Sequence, residues 1–199
     1  MKKAHKYPQH DLVYILTLAY GLSTFASGIL IPIYAFFIQK IGGGILETSW
    51  AIATYSIICG LGTIFVHKTT WSHTYRRHLL WGGWLLWLLS MTVYLIIQNI
   101  TVLYIAQILN ALGDAICEPI FDAEFSEKIS SDSSGGWAFF NGTISIFEGL
   151  ASVAGGIIAT AYGFDSLLYC IMVIGTISFA LIVYYTRVNN ARKATCSPH

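Results

Sequence analysis

Residues 107–121, QILNALGDAICEPIF, and residues 137–156, WAFFNGTISIFEGLASVAGG, are two apolar runs joined by a polar segment. They carry Asp114, Glu118 and Glu148 inside sequence that is otherwise suited to lipid. A carboxylate at the centre of a spanning helix costs roughly 2.5–3.5 kcal/mol on insertion scales, so three in one hairpin need a purpose. One reading makes them hydrogen-bonding groups that face neighbouring helices. The other makes them the lining of a path for a proton, a cation or a polar solute, and their grouping favours the second.

The rest of the chain supports a membrane setting for that hairpin. Its 199 residues are 55% hydrophobic and only 11% charged, with mean hydropathy +0.63. Soluble domains carry about 25% charged residues, so the chain reads as an all-α integral membrane protein. The formal net charge of +1 and the lack of a sizeable basic patch exclude nucleic acid as a partner. Cys59, Cys117, Cys170 and Cys196 form no C-x-x-C pair and read as small packing residues rather than a disulfide or zinc framework. No metal or other cofactor is expected.

About 20 mostly apolar residues are needed to cross a bilayer. Six stretches qualify: Leu12–Phe37, Thr48–Val66, Leu79–Ile97, Thr101–Phe121, Trp137–Tyr162 and Leu167–Val188. The basic amino-terminal residues before the first stretch suggest a retained helix rather than a cleaved signal. A single domain over residues 1–199 is expected, with tails at 1–11 and 189–199. Lys2, Lys3, Lys6, Lys68, Arg76, Arg77, Lys128, Arg187, Arg192 and Lys193 all fall on one side of a six-span arrangement, and Lys40 alone on the other. The positive-inside rule then puts both tails in the cytoplasm, most simply at the cell (inner) membrane.

Between the spans, Asp122–Gly136 reads as an acidic loop ending in a flexible small-residue joint. Trp81, Trp84 and Trp87 read as a lipid- or headgroup-facing stripe, with substrate stacking as the other possibility. His67, His73 and His78 read as solvated loop residues rather than metal ligands. The sequons at Asn99 and Asn141 lie too close to or within the membrane to be glycosylated.

An internal match emerges at an offset of 87 residues. Pro32 pairs with Pro119, Trp50 with Trp137 and Gly62 with Gly149, and Ile29, Ile33, Ala51 and Ile57 meet identical residues at the same offset. Residues 12–97 therefore correspond to 101–188. With three spans in each unit the second enters from the opposite side, a 3+3 inverted repeat of the kind secondary transporters use. The acids are not repeated: Ser27, Ile31 and Leu61 stand where Asp114, Glu118 and Glu148 would be matched.

The stretch Gln107 to Ala115, with Asn110, Ala111, Gly113 and Asp114, resembles the fourth-helix motif R-x-x-Q-G-x-G-x-A of the major facilitator superfamily. Gln107 replaces the arginine and Ala111 the first glycine. Gly149, Ala151, Ser152, Gly155 and Gly156 resemble the fifth-helix motif G-P-x-x-G-G. Arg76 and Arg77 match the end of the G-x-x-x-D-x-x-G-R-R loop, where Ser72 replaces the gating aspartate. The resemblance covers nearly the whole chain and amounts to one six-helix half of that fold.

The family implies a cavity lined by the first and fourth spans, with the second and fifth along the interface between halves. Asp114 and Glu118, one helical turn apart, are then cavity carboxylates beside a helix break at Pro119. Glu148 sits nearer the interface, where it could instead seal a helix contact. Gln107, Asn110 and Asn141 add neutral hydrogen-bonding groups. Pro32, Pro119, Gly113, Gly149, Gly155 and Gly156 are packing and gating residues, and Arg76 and Arg77 supply loop charge. Proton coupling asks one carboxylate to titrate near working pH, and Glu118 beside Asp114 is the natural candidate.

One half cannot enclose a cavity by itself, so a homodimer is expected, with lipids around it and a small solute and protons as cargo. The leading reading is a half-size secondary transporter. Its alternative is a non-transporting subunit that assembles with another transporter or complex. An enzyme is disfavoured because all six histidines lie in tails or one loop, out of reach of any intramembrane nucleophile.

Overall fold

The computed structural model describes residues 10–68, 75–129 and 133–195. All regular structure in them is helical. Helix α1 (His10–Leu30) runs into a 3-10 turn (Ile31–Ile33) and then α2 (Tyr34–Lys40); α3 (Ile45–Lys68), α4 (Arg76–Leu95), α5 (Ile100–Lys128) and α6 (Ser133–Thr195) follow. Among the described residues, five stretches are long and apolar enough to cross a membrane: Asp11–Lys40, Ile45–Val66, Arg76–Leu95, Ile100–Lys128 and Ser134–Ala191. The protein is a multi-pass membrane protein.

Element ends follow local chemistry. At the turn from α2 to α3, Gly42 adopts φ 88°, a conformation that favours glycine. Gly44 then donates its N–H to Glu47 Oε2 at 2.8 Å, which serves an otherwise unpaired amide at the start of α3. Asn99 caps α5, its side-chain oxygen accepting from Val102 N at 3.0 Å. Helix α6 is interrupted at Gly163 (φ 82°, ψ 175°), where two helices meet at a kink. An unbroken rod of 63 residues would be about 95 Å long, some three times the hydrocarbon thickness, so the kink separates two limbs of membrane-crossing length.

Between apolar helices in lipid, association rests on close packing and small residues. Helix α1 packs on α6, α4 on α5 and α6, and α3 on α5. A Cβ at Gly155 would run into the Ile29 backbone carbonyl, and one at Gly113 would lie 2.8 Å from the Gly83 carbonyl oxygen. Ser178 donates to the Ala19 carbonyl at 2.6 Å, and Ser90 to the Ala106 carbonyl at 3.0 Å, pinning one helix pair each. Two buried clusters result. One gathers Ile29, Ile38, Met91, Tyr94, Leu103 and Leu168; the other gathers Leu16, Trp84, Ile120, Phe121, Phe125 and Ile182.

Three expectations are corrected. The segment 122–129 is not an acidic loop, because α5 continues to Lys128 and carries Asp122, Glu124 and Glu127 on its last turns. Glu124 and Glu127 find partners across the bundle, which rewards helix over loop. Likewise Gly135 and Gly136 lie within α6, and residues 130–132 lie outside the described set.

Pro119 does not break α5. The break falls at its counterpart Pro32, in the 3-10 turn between α1 and α2. Finally, Trp84 and Trp87 are not lipid-facing: they are 3% and 4% exposed, and Trp81 donates to Thr186 Oγ1 at 3.1 Å. The helix face that carries them meets α5 and α6 (Gly83 lies against Gly113, Trp87 against Gly175), so it turns inward.

Candidate functional site

Asp114, Glu118 and Glu148 all line one cleft of about 250 Å³. Asp114 and Glu118 come from one face of α5, and Glu148 from the first limb of α6 opposite. Glu148, expected nearer an interface between halves, therefore shares the cleft with the other two. Tyr20, Ser23, Thr24 and Ser27 reach in from α1, Tyr55 from α3, and Trp84 and Trp87 from α4. Among the described residues, no Lys or Arg lines this space.

The carboxylates are held differently. Tyr55 donates its hydroxyl to Asp114 Oδ2 at 2.7 Å, tying α3 to α5. Among the described residues, the Glu118 and Glu148 side chains make no hydrogen bond or ion pair within the chain, and Glu148 is exposed. An aromatic floor of Tyr20, Phe121 and Phe140 lies on the side of the basic end, with Tyr20 and Phe121 ring centres 4.3 Å apart.

Gln107 and Asn110 lie elsewhere, in an adjoining hollow of about 160 Å³ with Tyr34, Tyr55 and Tyr94. Gln107 donates to the Tyr34 hydroxyl. Asn141 is exposed on α6 and lines neither space. Of the packing glycines, Gly113 and Gly155 sit in tight helix crossings, whereas Gly149 and Gly156 face open space.

A second charged group sits toward the end of the bundle that holds Arg76 and Lys128. Arg76 pairs with Glu127 and lies 3.7 Å from Glu124. Glu124, 7% exposed, also accepts from Tyr185 at 3.0 Å and Asn189 at 3.3 Å, and Lys128 donates to Asn189 at 2.8 Å. Arg77, one residue on, is exposed and stands over the Trp81 ring at 5.4 Å. Ser72 and His73 fall outside the described residues.

Sequence reasoning found the acids but missed the walls around them. The signal for Tyr20, Ser23, Thr24 and Ser27 was present: polar residues at steps of three and four along an apolar helix share one face. Tyr55, alone on α3, offered no such pattern.

Residues 16–199 match the sequence profile of the Major Facilitator Superfamily. The chain belongs to this superfamily. Within it, the chain is 23% identical over 192 residues to the proton-coupled antiporter flippase LtaA of Staphylococcus saprophyticus subsp. saprophyticus, an alignment covering 94% of this chain and 48% of that protein. The fold superposes on the crystal structure of the POT family transporter PepTSo with a TM-score of 0.70 at 15% identity, covering 92% of this chain and 38% of that one. The chain thus spans about half the length, or less, of the superfamily members it matches.

Proposed function

We propose that the chain is a six-span half of a secondary transporter that moves a small solute by alternating access, coupled to protons through Asp114 and Glu118. The observation that carries this reading is the convergence of Asp114, Glu118 and Glu148 on one cleft with no cation in its described walls. Three acids placed together without countercharge are costly in a membrane protein, and such groups mark ion and proton paths. The LtaA relative is described as a proton-coupled antiporter, which points the same way.

In this reading the chain is a 3+3 inverted repeat, and two pairs of contacts support it. Ser90 donates to Ala106 and Ser178 to Ala19; Ala19 and Ala106 are 87 positions apart, and the serines agree to within one residue. Ser27 and Ile31 line the same cleft as Asp114 and Glu118, their partners at that offset. The two limbs of α6 serve as the fifth and sixth spans, with the basic ends of the helices at the cytoplasmic face of the cell (inner) membrane.

A second six-span unit, most simply another copy, closes the cavity from the side where α3 and the first limb of α6 lie bare. Ala51 is the one buried side chain among residues 45–66, and Ile146, Leu150, Val153 and Ile157 are exposed.

The test is reconstitution into liposomes with an internal pH dye and a solute panel. Solute-driven pH change that disappears in Glu118→Gln and Asp114→Asn supports the reading. A pH response to some solute that both variants retain removes these acids from the path, and no flux of any solute removes transport. In the last case the non-transporting subunit becomes the better account.

A further inference from the structure

Two rows of small side chains, on different helices, match one another step for step. On α3 the row is Ser49, Ala53, Ser56, Gly60 and Thr63. On the first limb of α6 it is Gly142, Ser145, Gly149, Ser152 and Gly156. None of these side chains is buried, and a Cβ added to Gly60, Gly142, Gly149 or Gly156 would meet no atom within 4 Å. Taken from the end away from Arg76 and Lys128, each row steps by four, three, four and three residues. That alternation keeps to one narrow face over roughly 21 Å. Within the chain the two helices have other partners, α3 on α5 and α6 on α1.

The flanks of the rows say what suits them as a cover. On α6, Glu148 precedes Gly149 and lines the acid cleft, while Leu150 follows it and is exposed. On α3, Tyr55 precedes Ser56 and lines the cleft, while Ile57 follows and is exposed. Each row thus runs between the cleft and a bulky apolar flank suited to lipid. Successive residues turn the same way round both helices, so an antiparallel pairing brings both cleft flanks to one side of the contact and both apolar flanks to the other. A parallel pairing would mix them. As the second and fifth spans, α3 and the first limb of α6 do run in opposite directions.

Glu148 gives an independent reason to place protein here. It is exposed, and an exposed carboxylate in the middle of a spanning helix is costly against lipid. The rows themselves are ready to pack. Ser49 donates to the Ile45 carbonyl at 2.9 Å and Ser152 to the Glu148 carbonyl at 3.0 Å, so these hydroxyls are spent inside their own helices. Small residues let helix backbones approach closely, which is how apolar helices associate in a bilayer. Both rows belong to one chain, so a second copy turned about the membrane normal offers α6 to α3 and α3 to α6 at once.

We propose that the chain pairs with a second copy of itself through these rows, α3 of each against the first limb of α6 of the other. Ser49 faces Gly156 of the partner subunit, Ser56 faces Gly149 of the partner subunit, and Gly60 faces Ser145 of the partner subunit. The two acid clefts then open toward one another between the copies, and Glu148 is covered. This assignment rests on the transporter reading above and gives its second unit an identity and a register.

The test is disulfide trapping in native membranes, in a background carrying Cys59→Ala, Cys117→Ala, Cys170→Ala and Cys196→Ala. Two differently tagged chains are co-expressed, one with Ser56→Cys and one with Gly149→Cys, and oxidation is expected to link them. Ser56→Cys with Gly142→Cys is expected to give no link, since a slip of seven residues is about 10 Å, beyond disulfide reach. With the native cysteines in place, Gly149→Leu is expected to weaken self-association at least about tenfold, read by stepwise photobleaching in liposomes of increasing lipid content. Leu150→Ala, on the lipid flank, is expected to leave it unchanged. Because Gly149 meets open space within the chain, Gly149→Leu should keep the wild-type melting curve, which separates lost pairing from lost fold.

A slipped pair that links as well as the matched one overturns the assignment. So does a wild-type chain that bleaches in single steps at every dilution, or self-association that Gly149→Leu leaves intact. If the cysteine-free background fails to fold, the photobleaching arm decides alone. Solute flux by a monomer, or by an assembly with an unlike chain, sinks this assignment and leaves the transporter reading standing. Matched links without flux of any solute do the reverse.

Discussion

Asp114 and Glu118 lie on the same helix as Glu124 and Glu127, within four turns, yet the two pairs keep different company. Glu124 is surrounded by Arg76, Tyr185 and Asn189, and Glu127 by Arg76. Asp114 has one hydroxyl, from Tyr55, and Glu118 has no described partner. Glu124 is buried and Glu127 exposed, with Asp114 and Glu118 between them, so exposure alone does not sort the pairs. The difference is whether the fold supplies the countercharge or leaves it to something that binds. In the transporter reading, the saturated pair belongs to stability and the unsaturated pair to function.

The sharpest way to break this comparison is to neutralise one acid of each pair. Asp114→Asn should remove nearly all solute-driven proton flux while shifting the melting temperature by less than about 2 °C, the equivalent of under roughly 1 kcal/mol at this size. A large drop in melting temperature would put Asp114 in the structural class after all. Glu124→Ala should behave oppositely. It strands Tyr185 and Asn189 and takes a partner from Arg76, and it should cost about 2–3 kcal/mol in thermal unfolding, with flux per folded molecule retained. A melting curve identical to wild type would show that this network contributes nothing.

Tyr55→Phe asks how much the single hydroxyl matters. Losing one hydrogen bond to a carboxylate should cost about 1 kcal/mol and lower flux several-fold, less than Asp114→Asn does. Flux as low as in Asp114→Asn would promote Tyr55 to an equal partner. The smallest effect belongs to Arg77→Gln, since a cation over an exposed ring contributes at most about 0.5–1 kcal/mol. If it destabilises as much as Arg76→Gln in the same melting assay, the division between these neighbours is wrong.

Much of this was open to reading in the sequence, for definite reasons. Hydropathy marks the apolar stretches because lipid tolerates little else, and four-residue spacing places Asp114 and Glu118 on one face whatever the tertiary fold. The fate of Trp84 and Trp87 was not readable: tryptophan suits both a lipid interface and a buried wall, and only the packing of α4 against α5 and α6 decides. Residues 122–129 misled because charge density resembles a loop until Arg76 arrives from a distant position to pair with Glu124 and Glu127, and Tyr185 and Asn189 to hydrogen-bond Glu124. Pro32 and Pro119 are matched in sequence yet differ in outcome, since a proline removes one amide donor and the surroundings determine whether the helix continues.

Helix α5, at 29 residues, is about 44 Å long and outreaches the hydrocarbon layer. Its two acid pairs are thus mounted on one lever, with Asp114 and Glu124 separated by about 15 Å of axis. If the helix pivots by 10° about Asp114 as the cleft fills, Glu124 swings by about 2.6 Å. That exceeds the slack of any hydrogen bond to Tyr185 or Asn189. A rigid rod of this length would therefore report the occupancy of the cleft at the far end of the molecule, with the Arg76 cluster as its latch.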